Sequence, residues 1–478
     1  MNNSTTTQDA LSEIQSHMQP FSLYYQSEAA ALVEFPTPFT ASVISRLFSF
    51  EGSQGIAYKS LGLPITKYKT DDYVKYLFSR VFLDIGYENI FFYKNLGLQY
   101  MPESSGSNPE LKPLQNIVSR LIGALRNAFV HASILQQKQQ IINKAQSLFE
   151  RLYPQQPSQQ NDSDSVAQLE ALVKEFTEDY AVIFELSYLE GLIAQTLPQE
   201  EIAKLSPASN DLYVESTDIL GSKDITVTEI IARFGTRGFN DFEFAAPRWH
   251  EIPDVLQKLR SPQTHQAPIL AAVPPNQRTI ELQEIITLKD NLRLAITAYV
   301  DSIRKALFSI AKAHEITNDL VFYLTLDDFE RLKPNEWLNV ARRRKTEYEN
   351  GKEVYLPRFI TINTVKREGA AQIKKQYKAI PVSSGSVTAP IFKVSNSEKE
   401  IPQGIILLLP HAGPEFTVFY KNAVGIIFQK GGILSHGAII AREMRIPAVV
   451  CADFDSSAQL AILDASKGEI SLTEESAT

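Results

Sequence analysis

The feature that most restricts the fold of this chain is a change of period near Lys375. Upstream, apolar residues recur at spacings of three and four. One run is Leu114, Ile117, Leu121, Leu125, Ala128, Ala132 and Leu135, and a second is Leu169, Leu172, Phe176, Tyr180, Ile183 and Leu186. A third is Ile285, Leu288, Leu292, Ala295, Tyr299, Ile303, Leu307 and Ile310. Each run writes one apolar stripe on a helix, and three such stripes are expected to pack on one another as the core of a bundle. Downstream, short β-type runs separated by Gly, Pro and Ser take over: Ile405–Leu409, Ala423–Phe428, Ile446–Val450 and Glu469–Leu472, with one helix over Gly437–Met444. The expected architecture is multidomain. A polar N-terminal tail covers 1–28, a mainly α-helical domain 29–370, and a C-terminal α/β domain 371–478, with the charged stretch around Lys366–Lys378 as the linker.

Composition narrows the function classes. At 478 residues there is apolar material for several cores. Lys and Arg number 47 against 55 Asp and Glu, a formal charge of −8, and no long basic run is present. That balance excludes a dedicated nucleic-acid binder and an anionic membrane surface as main partner. The one cysteine, Cys451, leaves no internal disulfide and no zinc site built from cysteine pairs, and it reads as a packing residue. The seven histidines show no metal-like spacing, so no metal site is expected. The polar start Met1–Thr7 and apolar runs far short of about 18 residues lead to the expectation of a cytoplasmic protein. Two further stretches read as structure: Pro154–Ser165 as a polar loop, and Ser42–Phe50 as a short amphipathic helix behind the turn-rich Pro36-Thr37-Pro38.

The chemistry concentrates in Lys430-Gly431-Gly432-Ile433-Leu434-Ser435-His436-Gly437-Ala438 and the following Ala441-Arg442-Glu443 and Ile446-Pro447-Ala448-Val449. An apolar strand runs into a Gly-Gly turn, and Ser435-His436 opens a helix. Glycines allow backbone conformations closed to other residues and leave space beside the turn. A histidine in the first helical turn lies next to backbone N–H groups and the positive end of the helix dipole, which disfavours its protonation and favours a nearby anion. A nucleophilic imidazole that carries a phosphoryl group needs both. The bland alternative is a core or capping histidine after a tight turn. Weighing against it, the string resembles the phosphohistidine signature of the phosphoenolpyruvate-utilising enzymes, in which Gly-Gly, Ser or Thr, His, Ala, Arg and Ile-Pro-Ala-Val follow at these spacings. The resemblance implies that the C-terminal domain is a swivelling domain, that His436 is the phosphoryl carrier, and that Gly431, Gly432, Ser435 and Arg442 support it. Ser384-Gly385-Ser386-Val387-Thr388-Ala389 looks like the motif that opens such a domain.

The N-terminal part resembles the same family more weakly. Phe35-Pro36-Thr37-Pro38-Phe39-Thr40, the stretch from Phe234-Gly235-Thr236-Arg237-Gly238 through Asp241-Phe242-Glu243 to Pro247-Arg248-Trp249, and Phe322-Tyr323-Leu324-Thr325 are similar to segments of rifampicin phosphotransferase-like proteins. Thr236 stands where relatives usually carry His, and Asp241 where they usually carry Glu. On this resemblance Arg237, Asp241, Glu243 and Arg248 are candidate substrate-binding residues, the two arginines as phosphate clamps. The competing reading makes the arginines structural ion pairs with Asp241 and Glu243. Arg342-Arg343-Arg344 reads as a solvated helix end. Only some 30 polar residues precede the Pro-Thr-Pro segment, where relatives have an ATP-grasp domain, and no Gly-rich phosphate loop is visible. No cofactor is therefore expected on the chain itself, with ATP and Mg on a separate ATP-grasp partner and a small molecule as acceptor. A non-catalytic binding or regulatory protein, and direct donation by phosphoenolpyruvate, are the competing functions.

Overall fold

The computed structural model describes residues 7–26, 33, 35–102, 109–153, 166–202, 205, 210–222, 224–238, 240–259, 276–354, 356, 359–362, 376–394, 401–432, 435–451, 454 and 460–472. The Pro154–Ser165 loop and most of the linker lie outside the described residues.

The first elements are α1 (Thr7–Ser16) and β1 (Leu23–Tyr25). β1 pairs antiparallel with β3 (Arg80–Asp84) and β6 (Phe359–Thr361), and β2 (Val74–Leu77) completes a four-stranded sheet in the order β2-β3-β1-β6, while β4 (Leu98–Pro102) and β5 (Pro109–Pro113) pair as a separate hairpin. Ala10, Leu11, Ile14 and Met18 pack with Phe82, Val354 and Ile360 into one small core. Where a polar tail is expected over 1–28, the structure thus has a helix and a strand sewn to the far end of the helical part. Ser22 and the Leu23 N–H both donate to Asp84, at 2.6 and 3.0 Å. No local pattern announces a strand whose partner lies more than 330 residues away.

The second and third stripes form α5 and α8, within a longer helix series: α2 (Pro38–Leu47), α3 (Ile117–Gln136), α4 (Lys138–Leu152), α5 (Val166–Ala194), α6 (Leu212–Gly221), α7 (Val227–Phe234), α8 (Gln277–Ala313) and α9 (Pro334–Glu353). α5 and α8 bury their predicted stripes against each other apart from partly exposed Leu172 and Leu288. Asn276 caps α8 by accepting from the Thr279 N–H at 2.9 Å. The first stripe does the opposite. α3 buries only Gly123, Val130 and Ile134, while Leu121 and Leu125 are exposed. The third core helix is α4, through Ile141, Ala145 and Leu148. α3 is held by its narrow side because Gly123 lies against Gly97, so close that a Cβ on Gly123 would sit 2.0 Å from the Gly97 nitrogen. Arg344 is not at a helix end: it lies within α9 and pairs with Asp328, Nη2 to Oδ1 at 3.0 Å.

The C-terminal part is one mixed eight-stranded sheet. Its strands are β7 (Gln376–Lys378), β8 (Ile380–Ser383), β9 (Ser386–Lys393), β10 (Ile405–Leu409), β11 (Ala423–Phe428), β12 (Ala448–Val450), β13 (Leu460–Asp464) and β14 (Glu469–Leu472), in the order β7-β14-β13-β9-β10-β11-β12-β8. The central strands β9-β10-β11-β12 are parallel and the flanks antiparallel. A parallel centre is covered on both faces, and β10 is buried at every position. Buried Cys451 packs with Tyr377, Val449 and Phe454 on one face. On the other face, α10 (His436–Glu443) and the 3₁₀ turn Pro414–Asn422 share an apolar cluster with α6 and α7, joining this part to the helical part.

Candidate functional site

The helix α10 starts beside the C-terminal ends of β10 and β11, the edge at which parallel α/β sheets open a crevice for ligands. β11 delivers Gln429 and Lys430 to the Gly431-Gly432 turn. Gly431 has φ +139°, and a Cβ there would meet the Ala412 Cβ at 2.8 Å, so the position requires glycine on both counts. Ser435 occupies the N-cap position without capping; its hydroxyl donates to the Gly432 carbonyl at 2.6 Å and closes the turn. The Gly437 N–H donates to the Ala412 carbonyl at 3.1 Å, fixing the helix start against the loop that follows β10. Gly437 is also sterically required, since a Cβ would lie 2.5 Å from the Tyr420 hydroxyl. His436 is thereby the first residue of α10. Its side chain lies outside the described atoms. Arg442, in the last turn, is partly buried.

His411 and Lys430, to which the sequence pattern assigns no role, flank this turn. His411 lies two residues past the end of β10, and its ring meets Phe416 edge-on at 5.1 Å between centroids. Burial, then the positive charges of Lys430 and Arg293, push the His411 imidazole down to about 3, so it is neutral at physiological pH. Lys430 is 7% exposed. Arg293 belongs to α8, so the helical part contributes positive charge at this edge. The signal for finding them was positional: each of the first two lies within two residues of the end of a central parallel strand.

The Phe234–Trp249 segment is arranged differently. Arg237 and Arg248 are 0% exposed. Arg248 donates to the carbonyls of Asn240, Asp241, Glu243 and Ala246 at 2.6 to 3.2 Å. Burial and the charge of Arg304 push its guanidinium down to about 10. Arg237 is held between the rings of Tyr213 and Trp249, each 4.6 Å away, with Nε 3.8 Å from Asp241 and Nη1 on Ser216. Asp241 accepts from the Gly238 N–H at 2.8 Å and the Tyr213 hydroxyl at 3.1 Å. Glu243 accepts from the Thr37 N–H and hydroxyl, the Thr40 hydroxyl and the Ala245 N–H, at 2.8 to 3.2 Å. Burial raises its carboxyl above the ordinary value despite these bonds. The Thr236 and Thr297 hydroxyls are bonded at 2.7 Å. Four candidate binding residues are thus brought together, but as a buried brace. The Pro-Thr-Pro segment and the Asp-Phe-Glu segment, far apart in sequence, meet here, with Phe39 edge-on to Phe244 at 5.2 Å.

Residues 401–468 match the PEP-utilising enzyme mobile domain, a segment that takes in β10, β11, α10, β12 and β13. The rifampicin phosphotransferase of Streptomyces sviceus is 22% identical over 262 residues, 46% of this chain and 30% of that protein. That of Bacillus subtilis is 30% identical over 139 residues, 27% and 16% of the two chains. The phosphoenolpyruvate synthase of Aeropyrum pernix is 27% identical over 126 residues, 26% and 15%. Over residues 401–468 the chain carries the mobile domain found in phosphoenolpyruvate-utilising enzymes. It spans less than a third of the length of these relatives. Among the described residues no helix is long and apolar enough to cross a membrane.

Proposed function

We propose that this chain is a cytoplasmic phosphotransferase component that carries a phosphoryl group on His436. A separate ATP-grasp protein, holding ATP and Mg, supplies the group, and a small-molecule acceptor takes it. The observation that carries the reading is the placement of His436 as the first residue of α10, between the turn at Gly431 and the closely packed Gly437, both of which leave no room for a Cβ. An imidazole nitrogen attacks the donor phosphorus, the nucleotide leaves, and a P–N bond forms. The acceptor oxygen then attacks phosphorus, and the bonding pair returns to the imidazole. The positive end of the α10 dipole offsets the negative charge that accumulates on the phosphoryl oxygens. Gly431, Gly432 and Ser435 shape the turn, and Arg442 supports the helix. Arg237 and Arg248 face the protein's own rings and carbonyls, so the clamping charge is assigned instead to Lys430 and Arg293, the two cations that act on His411 beside the turn.

The test is transfer of labelled phosphate to the chain from ATP with the cognate ATP-grasp protein, and from phosphoenolpyruvate in parallel. Label that disappears in His436→Ala supports the carrier role, and its survival there overturns it.

A second reading, a non-catalytic binding or regulatory protein, is favoured by one observation. The sheet domain shares an apolar cluster with α6 and α7, including Tyr213, Phe234, Phe416 and Tyr420. A domain that swings must repeatedly expose such a surface. No label from either donor would favour this reading.

A further inference from the structure

We propose that α3 is the seam of a homodimer, pairing antiparallel with α3 of a second copy of this chain. The helix turns its apolar stripe away from its own protein. Ile117, Val118, Leu121, Ile122, Leu125 and Phe129 are 62, 66, 57, 55, 74 and 76% exposed. Side chains of this kind, on the order of 150–200 Å² each, put roughly 600–800 Å² of apolar surface on one helix face. The largest patch on a typical monomer is about 300–600 Å², and a standard interface takes about 800 Å² from each partner. The area therefore exceeds ordinary surface and matches one side of a dimer.

The pattern selects the occupant. Val118, Ile122, Leu125, Phe129 and Ala132 step by four, three, four and three, the spacing of a coiled-coil seam. No Asp or Glu occurs between Glu110 and Glu150, so a second copy brings no carboxylate into the seam. The antiparallel register with its two-fold axis between Gly123 and Ala124 sets Ile122 against Leu125 of the second copy. It also sets Phe129 against Val118, large against small. Arg126 then borders Leu121 of the second copy at the wet edge, where its stem can cover apolar surface, and the two Arg126 side chains lie on opposite sides of the axis. An anionic membrane is the poorer occupant for a chain of net charge −8.

The experiment is the molar mass of the full chain by light scattering and sedimentation, up to about 100 µM, for the wild type, Leu125→Glu and Phe129→Glu. Both sites are solvent-exposed in the single chain, so circular dichroism and melting of the variants should match the wild type. The expected result is a wild-type dimer whose dissociation constant rises at least about a hundredfold in each variant, because each places two carboxylates in an apolar seam. A wild type that stays monomeric throughout overturns the proposal. So does a dimer indifferent to both substitutions, which would put the interface elsewhere.

Discussion

The fold treats the two motif-bearing segments of this protein, Lys430–Arg442 and Phe234–Trp249, in opposite ways. The first lies at the open edge of the parallel strands, with Gly432 exposed and its glycines forced by contacts at Ala412 and Tyr420. The second turns its charged groups inward, onto carbonyls, aromatic rings and threonine hydroxyls. A shared string can record chemistry or packing. The engagement in the second segment is uneven: Arg248 is taken up by four carbonyls, whereas Arg237, between its two rings, keeps Nε and Nη2 without a hydrogen-bond partner among the described residues.

The contrast breaks most directly at Arg248. Removing a buried guanidinium that ties four carbonyls together should cost roughly 3–5 kcal/mol. Arg248→Met is therefore expected to lower the urea midpoint sharply; wild-type stability combined with lost transfer would make Arg248 a substrate clamp after all. Next in size is Gly431→Ala, where the positive φ and the Ala412 contact predict a loss of about 1–3 kcal/mol in the melting of the sheet domain, with phosphate labelling falling alongside. Glu243→Gln keeps the shape of the brace but gives up acceptor capacity among four donors. A loss of about 1–2 kcal/mol by chemical denaturation is expected, without a change in labelling of the folded protein.

Near neutral pH the smallest effect is the one His411 imposes, and it grows only in acid. Its folded value, about 3, lies below the unfolded one of about 6.5, so the unfolded chain takes up the proton first. Its contribution is present above pH 6.5 and drains away as pH falls toward 3, by at most about 1.4 kcal/mol per pH unit. Buried Glu88, raised to about 8 by desolvation, acts in the opposite sense, losing stability as pH rises from about 4.5 toward 8. The slope of stability below pH 6.5 should therefore flatten in His411→Gln, while the slope above it should persist.

Legibility in the sequence followed the range of the forces involved. β10, β11 and β14 are found over the residues their apolar runs mark, and α5 and α8 bury the stripes that their periodicity writes, because these patterns are local. α3 has the same periodicity and fails the same inference, since period fixes a face but not what that face meets. β1 was hidden because its partners, β3 and β6, come from distant parts of the chain. At the candidate site the Gly-Gly turn and the helix start were legible as backbone requirements. His411 and Arg293 were not, because only the fold brings β10 and α8 to that edge. Arg237 and Arg248 read as clamps because a guanidinium suits phosphate, and nothing local says that Tyr213 and Trp249 enclose one of them.

The central claim, that His436 carries phosphate, is tested most directly on protein taken from its native host and kept at neutral to alkaline pH. Intact mass and peptide mapping would then be read for acid-labile phosphate. One phosphoryl group is expected, on the peptide containing His436 and on that residue. Unmodified protein, beside a related swivelling enzyme that retains its phosphate under the same handling, would contradict it.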